Sequence, residues 1–361
     1  LGPSTGSIAD AAVARGIPIS RMTEGSMVRL GWGSKQRRIQ AAEMDVTSAI
    51  AESISGDKDL TKRLLASCGV PVPEGQIVKS AAEAWEAAED IGVPVVVKPT
   101  DANHGRGVSL DLRTQEEIEA AFAVADAEGS EVMVESFIPG DEHRFLVVGN
   151  QLVAAGSGES AWVTGDGTST VAQLIDSQIN TDPRRGLTED FPLNMVLLEE
   201  DAAVRLELQR QGMSGDAVPE AGRKVLIQRN GNVSVDVTDQ VHPQVAAAAC
   251  LAARIVGLDI AGVDLVAEDI SKPLSVQGGA IVEVNAGPGL LMHLKPSAGK
   301  PRPVGEAIVG SLFGTDESGR IPVVGICGSK GKTPTARLLS RLLGLAGKTT
   351  GLACSSGTFF G

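Results

Sequence analysis

The chain has 361 residues, 32 Lys+Arg against 45 Asp+Glu for a formal net charge of −13, 42% hydrophobic and 3% aromatic residues, and no tyrosine. A field of that sign repels polyanions, and three Trp with seven Phe are too few for a base-stacking surface, so nucleic acid is not an expected partner. No apolar run approaches the roughly 20 residues that cross a bilayer, and the most apolar stretch, 245–267, is broken by Arg254, Asp259 and Asp264.

The length allows two or three domains. Residues 1–50, with a helical stretch at 7–15 and an extended piece at 27–30, read as the end of an N-terminal domain or a lead-in to the next. From 51 to 315 the pattern is that of an α+β domain. A helix starts at Ser55 or Asp57 and stops at Gly69, and a second capped helix covers 80–92. The run VPVVVKP is a short buried strand, followed by a Gly-rich loop at 103–107, another strand and a helix from Thr114. EVMVESFI is a strand, and HRFLVVGN–QLVAAG a hairpin around Gly149-Asn150. Residues 155–240 look irregular and polar; a helix at 243–257 and strands at 260–267 and 278–285 follow. The Pro/Gly-rich segment 296–320 reads as a linker, and a fresh strand–loop–helix unit begins at Ile321. The four cysteines (Cys68, Cys250, Cys327, Cys354) form no CxxC and read as reduced thiols, so a cytoplasmic setting is expected. The chain opens on Leu1 and stops about 28 residues after a phosphate-loop motif, which reads as a fragment of a longer protein.

Lys98 ends an apolar strand just before Gly105 and Gly107, a pattern suited to nucleotide phosphates but equally open to an ordinary strand-end lysine. Glu283 and Asn285 are two apart on one strand and so share a face, with Asp264 on the neighbouring strand. Three such oxygen ligands suit Mg²⁺, and Glu283 lies between apolar residues, where an unpaired carboxylate is costly. Glu135 could accept the exocyclic amine of adenine, with backbone near Phe137 and Ile138, and Glu142 could hold ribose hydroxyls. Taken singly these two are weak signals.

Taken in order, the helix lysine, strand lysine, glycine loop, VES-F-I hinge, acidic residue and D…E-x-N resemble the ATP-grasp superfamily over about 50–315. A closer resemblance is to the cyanophycin synthetases. It is carried by GPST (2–5), QRRIQA (36–41), DKDLTK (57–62), VVVKPTDANHGRGV (95–108), GDGTSTVAQLI (165–175), DPRRG (182–186), GLDIAGVD (257–264), DISKPL (269–274) and EVNAGPGLLMH (283–293). This resemblance implies an ATP-grasp fold of two α+β lobes clamping ATP. It also implies an ATP-dependent ligase that activates a carboxylate as an acyl phosphate and adds aspartate to the C-terminus of an Asp-Arg polymer. Lys58 and Lys98 would bind ATP phosphates under a loop holding His104, Gly105, Arg106 and Gly107. Glu135, Ser136, Phe137, Ile138 and Glu142 would hold the nucleoside. Asp264, Glu283 and Asn285 would carry Mg²⁺, and Arg144 and His293 would meet substrate or phosphate. The partners implied are aspartate, arginine and a peptide or polymer primer, with a homo-oligomer expected.

The motif IPVVGIC–GSKGKT resembles the G-x-x-G-K-T loop of Mur-type amide ligases, with Gly328, Gly331, Lys332 and Thr333 at a helix start, and implies the opening of a second ligase domain over 321–361. In the resembling family that domain adds arginine. Two departures from the family pattern stand out: the shortened segment 229–243, and S-K-G-K-T-P in the phosphate loop. Alternatives are an ATP-grasp ligase of a different dipeptide or polyamide, and a non-catalytic nucleotide-binding paralogue.

Overall fold

A computed structural model describes residues 1–100, 107–129, 131–158, 160–188, 191, 193–228 and 233–361. His104, Gly105 and Arg106 lie outside the described residues, as do positions 229–232 of the shortened segment. The chain forms two units, Leu1–Gly319 and Arg320–Gly361.

The first unit is organised by a five-stranded antiparallel sheet in the order Val233–Asp236, Gln151–Gly158, Asp141–Val148, Ile260–Ala267, Ala280–Asn285. The inner strand Ile260–Ala267 keeps the bounds that its apolar run predicts, and it is buried almost throughout because both of its faces are covered. On one face Phe145, Val147, Ala261, Val263 and Leu265 pack on the helix Pro243–Val256. On the other, Leu146, Val148 and Ile260 join Ile8, Leu30 and Ile39. The first 40 residues are therefore part of this core. Gly149 and Asn150 both take positive φ, +56° and +66°, which is the hairpin turn their sequence calls for.

A smaller four-stranded sheet, ordered Gly75–Val78, Val132–Ser136, Val95–Pro99, Ser109–Leu112, is backed by the helices Ala81–Ile91 and Gln115–Asp126. Both helices start where a hydroxyl can accept from an N3 amide. Ser80 accepts from Glu83 N, and Thr114 with Glu117 completes a capping box. Asp57, not Ser55, caps the helix Lys58–Ser67.

Two readings of the sequence are corrected. The segment 296–320 is not a plain linker. It contains the helix Val304–Leu312, whose Val304, Ile308, Val309 and Leu312 are buried with Ile8 and Ala12 of the helix Pro3–Ala14. The apolar 4-5-8 spacing was masked by flanking Pro and Gly. The stretch 155–240, read as irregular, builds a core of its own around Val163, Ile175, Val204 and Ile227.

In the second unit the helix Lys332–Leu345 follows the phosphate-loop motif, and Gly351–Cys354 pairs with Gly357–Phe360. Residues 321–327, expected as a strand, form none: among the described residues no strand pairs with them, and Val323 and Val324 are exposed. A strand is stabilised by its cross-strand partners, so apolar content alone does not make one. Among the described residues no helix is long and apolar enough to cross a membrane, and all four cysteines are free of disulfides.

Candidate active site

The site starts from alternation along the strand Val95–Pro99. Val95 and Val97 point into the small lobe's core, which leaves Lys98 on the opposite face. Its ammonium lies 2.5 Å from Glu135 Oε1, on the adjacent strand Val132–Ser136. The other oxygen of Glu135 is paired with Lys62, whose ammonium also rests 3.3 Å from Met133 Sδ. Glu135 is 3% exposed and Lys62 8%. Two buried ammonium groups thus share one buried carboxylate and leave an excess of positive charge. Desolvation dominates the outcome: burial brings Lys98 down to about 8. It sends Lys62 well below the usual lysine range, with neighbouring Lys98 adding to the effect. An anion arriving beside these lysines would relieve the imbalance.

Lys62 escaped the reading of the sequence, although it stands four residues after Lys58 on the same helix face. Lys58 itself reaches Glu283 Oε1 at 3.3 Å. Its helix is tied to the preceding helix Ala49–Gly56 by Thr61 Oγ1, which donates to Ile54 O at 2.6 Å. Lys58, Glu283 and Asn285 line a cavity of about 380 Å³ together with Glu43, Glu52 and Thr100. Glu43 comes from the stretch read as a lead-in and Glu52 from just after it, and nothing in their local sequence marks them. Burial and the nearby Glu52 and Asp259 raise the Glu43 carboxyl above its ordinary value.

Across the sheet, Asp264 faces Glu283 and Gly262 faces Asn285. An extra residue, Val282, shifts the register between these pairs and Leu265–Ile281. That bulge lets Ile281 and Val284 enter the core while Glu283 stays on the site face. Glu283 is not embedded in apolar residues, as its sequence neighbours suggest; its side chain is 29% exposed on the cavity wall. Asp264 is buried. It receives both Arg144 Nε and Arg144 Nη2 (the latter at 2.7 Å), and Asn285 Nδ2 donates to it at 3.1 Å. Burial raises the Asp264 carboxyl, Arg144 opposes this, and Glu142 and Glu283 add to it.

Asp264, Glu142 and Glu283 together need countercharge, which Arg144 and Lys58 supply here. Two carboxylates facing each other and an amide oxygen on the same face are hard oxygen donors of the kind Mg²⁺ takes, so the residues fit that ion. Among the described residues no three His, Cys, Asp or Glu side chains gather into one ligand cluster; the set has two carboxylates.

The remaining predicted residues do not line that cavity. Phe137 N donates to Pro94 O at 3.1 Å, and Ser136 Oγ accepts from Glu74 N at 3.1 Å, so these hinge groups are engaged within the small lobe. Glu142 pairs with Val266 on the strand beside it. His293, 3% exposed, lies on the short helix Leu291–Leu294. Burial, followed by the nearby Arg144 charge, holds it at about 4, so it is neutral at pH 7. Its carbonyl accepts from Arg302 N at 2.9 Å, and the Arg302 guanidinium forks onto Asp236.

In the second unit Gly331 takes φ +78° as the N-cap of the helix Lys332–Leu345. Lys332 Nζ donates to Gly328 O at 2.6 Å, and Thr333 Oγ1 lies 2.9 Å from Ser355 Oγ.

Residues 57–188 match the family model "Carbamoyl-phosphate synthase L chain, ATP binding domain". A cyanophycin synthetase of Nostoc is 41% identical over 367 residues, all of this chain and 40% of that protein. A glutathione biosynthesis bifunctional protein of Clostridium perfringens is 32% identical over 84% of this chain and 40% of its own length. The crystal structure of a bifunctional glutathione synthetase from Pasteurella multocida superposes with a TM-score of 0.57 at 27% identity, covering 86% of this chain and 43% of the other. The chain spans about two fifths of the length of the curated relatives it matches.

Proposed function

We propose that this chain, similar along its whole length to part of the cyanophycin synthetases and matching an ATP-binding domain model over 57–188, is an ATP-grasp ligase unit that activates a carboxylate with ATP and joins it to an amine. The observation that carries the proposal is the convergence on one site of three lysines (Lys58, Lys62, Lys98) with the facing pair Asp264–Glu283. A carboxylate is a poor electrophile until it is converted to an acyl phosphate. That transfer spreads negative charge over the moving phosphoryl group, and fixed cations lower its cost most in a water-poor site.

In this reading Lys98 and Lys58 meet ATP phosphates, Lys62 and Glu135 keep Lys98 in place, and the hinge 135–138 with Glu142 borders the nucleoside. Mg²⁺, held by Asp264, Glu283 and Asn285, would neutralise phosphate charge when bound. Arg144 steadies Asp264 and reaches toward substrate, while neutral His293 can donate or accept a hydrogen bond without adding charge. The proposed substrates are an Asp-Arg primer and aspartate. The loop Gly328–Gly331–Lys332–Thr333 is proposed to open a second, Mur ligase-like nucleotide site for arginine addition.

The test is phosphate release from Mg-ATP with a short Asp-Arg primer, given aspartate, arginine or neither. The expected result is release that requires primer and aspartate, with a primer one aspartate heavier by mass. Release supported by another amino acid, with none from aspartate, would instead favour a different amide product, the reading to which the likeness to a bifunctional glutathione synthetase lends weight.

A further inference from the structure

Beside the strand that carries Lys98 runs Ser109–Leu112, and the pairing between them is irregular. Val97 faces Ser109 but Val95 faces Leu112, so two steps on one strand span three on the other. The outer strand therefore bulges, and Asp111 within it takes φ +54°, a left-handed conformation that a residue with a Cβ adopts only under constraint. In a regular strand successive carbonyls point to opposite sides. Here the carbonyls of Leu110 and Asp111 both accept from one guanidinium: Arg210 Nη1 donates to Leu110 O at 2.7 Å and Arg210 Nη2 donates to Asp111 O.

Arg210 does not belong to that lobe. It is the last residue of the helix Ala202–Arg210, which packs in the separate core around Val163, Val204 and Ile227. Its side chain is only 16% exposed and also faces Glu117 at 3.4 Å, Glu207 at 3.5 Å and Asp111 Oδ2 at 4.0 Å. A planar fork with several fixed donors can satisfy two adjacent carbonyls at once, where an ammonium cannot match the geometry. The family model's match ends at residue 188, before this helix.

We infer that Arg210 is a positioning residue for nucleotide binding: it locks the bulge at Asp111 and thereby fixes the strand that presents Lys98. The module of residues 161–228 thus supports the phosphate site from outside the lobe that carries it. This rests on the proposed phosphate role of Lys98.

The test compares the unmodified chain, Arg210→Ala and Arg210→Lys. It uses calorimetric titration with Mg-ATP, steady-state kinetics with ATP and primer varied separately, and amide hydrogen exchange at 109–112. Displacing a binding strand costs affinity steeply, so Arg210→Ala is expected to weaken ATP binding and raise the ATP KM about tenfold or more. The primer KM and the kcat at saturating ATP should stay within about twofold, the range of an undisturbed site, while exchange at 109–112 quickens. Arg210→Lys should fall between, and it decides the matter if the alanine variant does not fold. Unchanged ATP affinity in a folded variant would overturn the inference. So would parallel rises in the KM of both ATP and primer, which mark general loosening. No ATP binding by the unmodified chain would overturn the proposed role of Lys98, and this inference with it.

Discussion

Lys98 and Lys332 both accompany a glycine-containing loop in sequence and both were expected to meet phosphate, yet the protein holds them differently. Lys98 is 11% exposed, and its charge is balanced by Glu135, a residue 37 positions away in sequence that also carries Lys62. Lys332 sits on an exposed helix start and rests on the carbonyl of Gly328, four residues before it. The first arrangement depends on sheet pairing and burial; the second depends on a short run of backbone. A lysine in the first setting is linked to fold stability and titrates in an accessible range, whereas one in the second can be altered with little effect on its surroundings.

The contrast is broken most directly by removing Glu135. Glu135→Ala leaves two buried ammonium groups without their shared partner, and breaking a buried ion pair in this way costs about 3–5 kcal/mol. Lys332→Ala, an exposed change, should stay within about 0.5 kcal/mol. Denaturant unfolding of both variants measures this, and equal losses would erase the distinction.

A second prediction uses pH. Unfolded Lys98 keeps its proton to its ordinary 10.5 and folded Lys98 only to about 8. Between these values the unfolded state binds more protons, so stability rises with pH, by about 3 kcal/mol at most from this group. ATP affinity should fall over the same window as the ammonium loses its charge. Unfolding and ATP titrations at pH 7.5, 9 and 10 would check both slopes, and parallel movement of the two would contradict the assignment.

The smallest expected stability effect within the site is that of Glu283→Gln. Its side chain is 29% exposed and its pair with Lys58 is 3.3 Å long, so stability should change by no more than about 1 kcal/mol, as for other partly exposed pairs. Mg²⁺-dependent turnover should nevertheless be lost. Near-normal turnover would remove Glu283 from the metal set.

Much of the architecture was legible because its signals are local. Asp57, Ser80 and Thr114 announce their helices, since an N-cap oxygen acts on amides two or three residues away. The two-residue spacing of Glu283 and Asn285, opposite Asp264, brought those side chains to one face as the strand period requires. The helix Val304–Leu312 was missed because its apolar spacing is short and lies between prolines and glycines. The strand expected at 321–327 failed for the reverse reason: its apolar residues meet no partner.

The sequence by itself determined the helix starts at Asp57, Ser80 and Thr114, the hairpin turn at Gly149-Asn150 and the phosphate-loop turn at Gly331, all settled by residues within one or two turns of each other. Only the tertiary structure decided that Lys62 and Lys98 share Glu135, that a bulge at Val282 turns Glu283 toward Asp264, and that Arg210 closes the bulge at Asp111. Those choices join residues from about twenty to a hundred positions apart, and desolvation and sheet register, which arise only once the lobes have packed, select among partners that are equivalent along the chain.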